Sequence, residues 1–237
     1  HSGNDACIVV AENLAGSEAD FARIMTARAR KLGMNESTFA NATGWPDPNH
    51  RMSARDLLAL ANRLMTQFPE FYGYFAEKSF TWANITQQNR NPLLNLGIGA
   101  DGLKTGHTSE AGYGLVGTAR QGNRRVILMV TGLSSAGERA AEGERLMNWA
   151  FRQFTTAELL KEGQIVAEAE VWMGEAATVA LTAAKPLNTL LPSGSDGKVS
   201  AEVVYDGPLT APVMAGATVG KLIIRPEGLA ETEVPLV

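Results

Sequence analysis

The chain has 237 residues, and 45% of them are hydrophobic, which is enough to build a sizeable core in one or two domains. Its formal net charge of −4 argues against a nucleic-acid partner, and no apolar run is long enough to cross a bilayer. No signal-peptide pattern is present, so we expect a mature or trimmed soluble chain. Cys7 is the only cysteine, and its apolar neighbours predict a small buried side chain.

Two helices are predicted in the first third of the chain. Ser17 begins a capping box, followed by apolar residues at helical spacing up to Gly33. Ser53 begins a second box, and an apolar stripe from Leu57 ends before Pro69.

The segment between the two helices, residues 35–51, contains a glycine and two prolines and is predicted to be a loop. We expect Trp45 to anchor this loop to the core. The alternative is that Trp45 and His50 face a ligand.

Strands are predicted in the middle of the chain, beginning with a short one from Phe80 to Ile85. A second strand carries Lys104-Thr105-Gly106. The segments 113–119 and 125–131 flank a turn at residues 121–123 and predict an antiparallel hairpin, and the unbroken apolar run 126–130 predicts a central strand covered on both faces. A helix over residues 138–154 completes an α+β domain with helices around an antiparallel sheet.

The last third of the chain has a different residue pattern. Short β-branched segments at 164–171, 178–182, 199–205 and 219–224 alternate with turn residues. We therefore predict a first domain over residues 1–156 and a small all-β, sandwich-like domain over residues 157–237. The second domain carries no recognisable catalytic residues, and we expect it to be a spacer or a partner-binding module.

Two short motifs contain side chains suited to catalysis or ligand binding. Ser2-Gly3-Asn4 places a hydroxyl and an amide two positions apart, and Lys104-Thr105-Gly106 combines an ammonium, a hydroxyl and an open backbone. They match two of the three signatures of penicillin-recognising serine enzymes. The third signature, Ser-x-x-Lys, occurs only as Ser195-Asp196-Gly197-Lys198, where the surrounding residues favour a β-turn over a nucleophile.

With these motifs the whole chain resembles the low-molecular-mass penicillin-binding proteins that act as serine-type D-Ala-D-Ala carboxypeptidases, in peptidase family S11. The resemblance implies the penicillin-binding fold, similar to β-lactamases and transpeptidases, for the first domain. The segment that carries Ser-x-x-Lys in that family is missing here. We therefore expect upstream residues or another chain to complete the sheet, leaving an open edge and an exposed core face when it is absent.

The resemblance also implies roles for individual residues. Ser2 would relay protons to the leaving amine, and Lys104 would lower the pKa of the surroundings of Ser2 and attract the terminal carboxylate of the substrate. Asn4 would bind the substrate backbone, and Thr105 would bind the carboxylate. The strand around Gly106 and His107 would pair with the extended substrate, with His107 shaping its end rather than acting as a base.

Two arginines are further candidates for binding the carboxylate, Arg90 before the Lys-Thr-Gly strand and Arg139 at the start of the last helix. A surface salt bridge is an equally good reading of Arg90. We expect no metal or cofactor, because His1, His50 and His107 lack ligand-like spacing.

The expected partners are peptidoglycan stem peptides ending in D-Ala-D-Ala and β-lactam antibiotics, and the expected location is the periplasm. Members of the family often end in an amphipathic membrane-binding helix, which the chain does not reach at Val237.

Two alternatives remain open. One is a β-lactamase, for which we cannot place a deacylating base. The other is a non-catalytic fragment that binds peptidoglycan or a partner.

Overall fold

The computed structural model describes residues 1–194 and 199–237. These residues form two compact units, His1–Phe151 and Arg152–Val237. The sequence placed the boundary at 156/157, within the first strand of the second unit. The predicted turn at Ser195–Lys198 lies outside the described residues.

The first unit contains the α-helices of the described chain. They are α1 (Asn4–Ala15), α2 (Glu18–Lys31), α3 (Ala54–Gln67), the single turn α4 (Pro69–Tyr72) and α5 (Ala136–Gln153). Ser17 and Ser53 cap α2 and α3 as predicted, because each hydroxyl accepts a hydrogen bond from the backbone N–H three residues later. Two short 3₁₀ turns cover Gly73–Ala76 and Pro92–Asn95.

Helix α1 was not predicted, because its N-cap is Gly3, which offers no side-chain cap. The helix leaves three apolar side chains largely exposed: Val9, Val10 and Leu14. Cys7 is also exposed, so the prediction of a buried thiol was wrong. The apolar neighbours that suggested burial lie on a helix whose outer face is uncovered among the described residues.

The loop over residues 35–51 is confirmed, and its start is held by the buried carboxylate of Asp56. One oxygen of Asp56 accepts hydrogen bonds from the Ser37 hydroxyl at 2.7 Å and the Glu36 amide at 3.0 Å. Trp45 is 61% exposed, so the prediction that it anchors the loop was wrong. Polar contacts of this kind, rather than a buried indole, hold the loop.

The segment predicted as one strand from Phe80 to Ile85 is a hairpin of two strands, β1 (Ser79–Trp82) and β2 (Ile85–Gln88). The chain reverses at Ala83 and Asn84, both of which have positive φ. Alanine rarely adopts this conformation, so a turn at Ala83 is not expected from its residue type.

The main sheet of the first unit consists of β3 (Ala100–Thr108), β4 (Gly112–Gln121) and β5 (Arg124–Leu133) in that order, all antiparallel. The predicted hairpin is confirmed, with its turn at Gly122 and Asn123. The predicted central position of the apolar strand was wrong, because β4 is central and β5 lies at an edge among the described strands. Both faces of β5 are nevertheless covered. Leu128 and Val130 belong to one core cluster, and Ile127 and Met129 pack against another.

Apart from the last two residues of α5, the described residues of the second unit form strands and the loops that join them. The strands are β6 (Phe154–Leu160), β7 (Ile165–Trp172), β8 (Thr178–Thr182), β9 (Leu187–Pro192), β10 (Val199–Tyr205), β11 (Leu209–Thr210), β12 (Gly220–Pro226) and β13 (Thr232–Leu236). They form three small sheets, β6-β9, β11-β7-β8 and β10-β12-β13. Four of these strands correspond to the predicted segments, and β6, β9, β11 and β13 were missed.

One core holds the small sheets together. Its fully buried residues include Leu181 on β8 and Leu236 on β13. The α+β class with a following all-β domain is therefore confirmed. Within the described ranges, no helix combines the length and hydrophobicity needed to span a membrane.

Candidate active site

The two sequence motifs meet in the first unit. Ser2 directly precedes the N-cap of α1, and Lys104 lies in the middle of β3. The ammonium of Lys104 donates a 2.8 Å hydrogen bond to the Ser2 hydroxyl and a second one to the carbonyl of Thr105. A hydroxyl and an amine in direct contact form a pair through which a proton can pass.

The surroundings of Lys104 make its charged form less favourable. Its side chain has some exposed surface, but neighbouring atoms displace part of the water around the ammonium, and this desolvation lowers the pKa of Lys104. The positive charges of Arg90 and Arg139 lower the pKa further, while Cys7 acts in the opposite direction. The three cations Lys104, Arg90 and Arg139 therefore act on one region, which favours an anionic ligand.

Arg139 is the most buried of these cations. It is only 9% exposed, and its buried Nε atom has no hydrogen-bond partner within the described part of the chain. Desolvation lowers the pKa of Arg139, the electrostatic interaction with Tyr113 opposes that shift, and the positive charge of Arg90 lowers the pKa further. A buried guanidinium N–H with no acceptor is costly unless a ligand supplies one, and a carboxylate matches its geometry.

Tyr113 lies between two of the predicted residues, and the sequence analysis did not assign it to the site. Its ring centroid is 3.9 Å from that of His107, and the guanidinium of Arg139 lies over the ring at 5.5 Å. Tyr113 is the direct cross-strand partner of His107. The register of β3 and β4 follows from the turn between them at residues 109–111, so counting outwards from that turn would have revealed this neighbour.

Strand β3 presents a free edge beside these side chains. It pairs only with β4 in the described residues, so one row of its backbone groups has no strand partner. Thr105 is buried at 8% exposure. Gly106 is open, since a Cβ added there would meet no atom within 4 Å. An extended peptide can lie close to such a bare edge.

The remaining predicted residues lie as follows. Asn4 is the half-buried first residue of α1, two positions after Ser2. His50 is in the loop over 35–51, where it packs edge-to-face on Phe39, and desolvation lowers its pKa while Asp47 opposes that shift. No contact between His50 and the Ser2–Lys104 pair is present in the described residues.

Comparisons with known proteins cover both units. Residues 1–135 match the family model for D-alanyl-D-alanine carboxypeptidase, peptidase family S11, and residues 154–237 match the model for the C-terminal domain of penicillin-binding protein 5. The chain is 37% identical over 238 residues to the D-alanyl-D-alanine carboxypeptidase DacD of Escherichia coli strain K12, and 34% identical over 241 residues to DacF of Bacillus subtilis. These alignments cover 100% and 99% of this chain but only 61% and 62% of the relatives, so the chain spans about six-tenths of their length.

Solved structures give the same result for the fold. Penicillin-binding protein 5 of Haemophilus influenzae superposes with a TM-score of 0.85 at 34% identity, over 100% of this chain and 70% of the other. Penicillin-binding protein D2 of Listeria monocytogenes, in a cefotaxime-bound form, has a TM-score of 0.58 at 36% identity, over 63% of this chain and 62% of the other. The second comparison extends the likeness to a protein solved with a β-lactam.

Proposed function

Because the chain belongs to the D-alanyl-D-alanine carboxypeptidases of peptidase family S11, we propose that it forms part of a serine D-Ala-D-Ala carboxypeptidase. The proposed reaction removes the terminal D-alanine from peptidoglycan stem pentapeptides through an acyl-enzyme. The observation that carries the proposal is the 2.8 Å hydrogen bond between Lys104 Nζ and Ser2 Oγ beside a set of unneutralised cations.

The proposed chemistry divides the reaction into two steps. A serine hydroxyl attacks the carbonyl carbon of the penultimate D-alanine, and the peptide C–N bond breaks as the amine of the last D-alanine leaves with a proton. Ser2, bonded to Lys104, is the proposed relay for that proton. Water then attacks the ester carbonyl carbon, and the bond between that carbon and the serine oxygen breaks. The hydroxyl of the water stays on the released peptide as part of its carboxyl group, and the other proton of the water goes to the serine oxygen.

The substrate carboxylate is proposed to bind to Arg139 and Thr105, with Arg90 adding a second positive charge. Support comes from the unpartnered Nε of Arg139 and from the position of Thr105 next to Lys104. Asn4 is proposed to bind the amide backbone of the substrate.

The free edge of β3 is proposed to hold the substrate as an added strand. Gly106 allows close approach, and His107, packed on Tyr113, shapes the end of that edge. One backbone N–H of β3 is proposed to contribute to the oxyanion hole. A β-lactam fits the same site, because its amide and carboxylate imitate D-Ala-D-Ala.

The nucleophile is proposed to come from a segment outside this sequence, either upstream residues or a separate chain. Ser-x-x-Lys occurs here only at Ser195, remote in sequence from both motifs. The exposed apolar residues of α1 and the edge of β5 that is unpaired among the described strands are two places where such a segment can pack. We place the protein in the periplasm, and peripheral association with the membrane rests on the family resemblance alone.

A second candidate function is non-catalytic binding of peptidoglycan or a partner, which the missing nucleophile favours. Incubation with a fluorescent penicillin separates the two. We expect no label on this chain alone, and label on an added Ser-x-x-Lys segment, such as the N-terminal part of E. coli DacD, when the two are produced together. Rapid turnover without lasting label would indicate a β-lactamase, and no label in either sample would support the non-catalytic function. The variant Ser195→Ala is the control, because label that disappears with it would place the nucleophile at Ser195.

A further inference from the structure

Asp101, three residues before Lys104, lies within hydrogen-bond distance of side chains on three other elements. Its two carboxylate oxygens take one bond each from the guanidinium of Arg125 on β5, both at 2.7 Å. The hydroxyls of Thr118 on β4 and Tyr72 at the end of α4 lie within hydrogen-bond distance of the carboxylate, at 2.9 and 3.2 Å, and 2.5 Å from each other. Each hydroxyl has a single proton, so at least one donates directly to Asp101 and the other donates either to Asp101 or to its neighbouring hydroxyl. We call these four residues the Asp101 cluster.

The cluster lies at an irregularity of β3. The register between β3 and β4 shifts between Ala100 and Gly102, so Asp101 is the extra residue of a bulge. A β-bulge bends its strand and changes the direction of the side chains that follow. Lys104 and Thr105 are the side chains that follow here.

Gly102 is enclosed by the same cluster. A Cβ on Gly102 would lie 2.5 Å from the Tyr72 hydroxyl and 2.9 Å from the Thr118 hydroxyl. The Gly102 carbonyl accepts a 2.7 Å hydrogen bond from the amide of Asn91, which is 2% exposed. Asn91 directly follows Arg90, so one amide joins the segment that carries a candidate cation to the strand that carries Lys104.

The cluster keeps one protonation state over a wide pH range. Partial burial alone would raise the pKa of Asp101, but the hydrogen bonds of Arg125 and Thr118 and the charge of Arg125 lower it below its usual value. Burial raises the pKa of Tyr72 to about 12, although the hydrogen bond with Thr118 acts against this. The carboxylate therefore stays charged and the phenol stays neutral at neutral pH.

We propose that Asp101 is a positioning residue which, through Arg125, Thr118 and Tyr72, fixes the bulge at the start of β3 and so sets where Lys104 and Thr105 lie relative to Ser2 and Arg139. The effect of Asp101 on catalysis rests on the proposed function. Its effect on the positions of Lys104 and Thr105 does not. Asp101 acts through the backbone, because its carboxylate is hydrogen-bonded to Arg125 and Thr118 and none of these bonds involves Lys104.

If Asp101 acts by positioning, Asp101→Asn should change the pKa of Lys104 in one direction. If it acts through its charge, the change should be absent or in the other direction. Loss of a negative charge alone would leave the pKa of Lys104 unchanged or lower it slightly. A loosened bulge would instead let water reach Lys104 and move it away from Arg90 and Arg139. The pKa of Lys104 would then rise towards its ordinary value.

The test uses NMR of the chain with ¹³C-labelled lysine side chains, with Lys104 assigned by the variant Lys104→Arg, together with amide hydrogen exchange. For Asp101→Asn we expect the Lys104 pKa to rise and the protection of the amides at 103–105 to fall about tenfold. Tyr72→Phe removes one hydroxyl from the cluster. It should change the Lys104 pKa and the amide protection in the same directions as Asp101→Asn, but by smaller amounts. Glu142→Gln, which removes the salt-bridge partner of Arg145, should change neither the Lys104 pKa nor the amide protection.

An unchanged or lower Lys104 pKa together with unchanged protection in folded Asp101→Asn would overturn the proposal. If that variant does not fold, the same two measurements, the Lys104 pKa and the amide protection at 103–105, are made on Thr118→Val and Tyr72→Phe. Neither readout requires turnover, so this test and the penicillin-labelling test can fail independently.

Discussion

Lys104 Nζ lies 2.8 Å from Ser2 Oγ across 102 positions of sequence. The contact joins the start of α1 to the middle of β3. Two short motifs, each weak alone, thereby become one arrangement with a defined chemistry.

The first prediction concerns this contact. In the enzyme completed with its Ser-x-x-Lys segment, Ser2→Ala should slow D-alanine release about 10²–10⁴-fold, because a positioned proton relay contributes that much. The measurement is D-alanine release from a stem-pentapeptide substrate. Ser200→Ala, at an exposed serine in the second unit, serves as the control and should retain the full rate. A rate for Ser2→Ala equal to that of the control would remove Ser2 from the mechanism.

The second prediction concerns Arg139. Arg139→Gln should weaken binding of a peptide with a free C-terminal carboxylate about 10–100-fold, since a hydrogen bond to a charged group contributes about 1.5–3 kcal/mol. Binding of the matching C-terminal carboxamide should change much less. Arg145→Gln, on the exposed side of the same helix, is the control. Equal losses for the carboxylate and the carboxamide would show that Arg139 does not recognise the carboxylate.

The third prediction compares two glycines on β3. Gly102→Ala should lower the free energy of unfolding by about 1–3 kcal/mol, because the new methyl group would overlap the hydroxyls of Tyr72 and Thr118. Gly106→Ala meets no atom and should change stability by less than about 1 kcal/mol. Urea unfolding of both variants makes the comparison, and equal losses would contradict the crowding at Gly102.

The fourth prediction concerns acid stability. Because the pKa of Asp101 is lowered in the folded chain, its contribution is present above the ordinary pKa of an aspartate and is lost as the pH falls through the lowered value. Asp101→Asn should therefore be about 1–3 kcal/mol less stable than the parent at pH 7. The difference should shrink steadily in urea unfolding below about pH 4. A difference that does not depend on pH would show that the carboxylate charge contributes nothing.

The fifth prediction concerns the second unit. Leu236 on β13 is completely buried, and Leu236→Ala should cost about 2–5 kcal/mol. Leu190→Ala, at a position that is 46% exposed on β9, should cost far less. Similar losses for the two leucines would contradict the common core of the small sheets.

Local signals explain what the sequence could predict. Ser17 and Ser53 each cap a helix through a hydroxyl three residues from its donor, so a short pattern is sufficient. The hairpin around Gly122 and Asn123 is equally local. The proximity of Ser2 and Lys104 was expected from the motif order of a family, not from any local pattern.

The errors have physical causes as well. Ala83 turns the chain at a positive φ that its side chain disfavours, so Asn84 alone indicated the turn between β1 and β2. The apolar run in β5 indicates that both faces of the strand are covered. It does not indicate whether the strand lies at the centre or at an edge of the sheet. Cys7 and Trp45 are exposed although their residue types usually favour burial.

Under the proposed function, the edge of β3 that is unpaired among the described strands also bears on drug resistance. Every residue except proline has the same main-chain N–H and C=O groups, so most substitutions on β3 leave the groups that would bind a strand-like inhibitor in place. Escape through β3 itself would require displacing the strand, and the crowding around Gly102 leaves little room for that. Mutations that evade an inhibitor designed on this edge should therefore concentrate in the side chains that surround it.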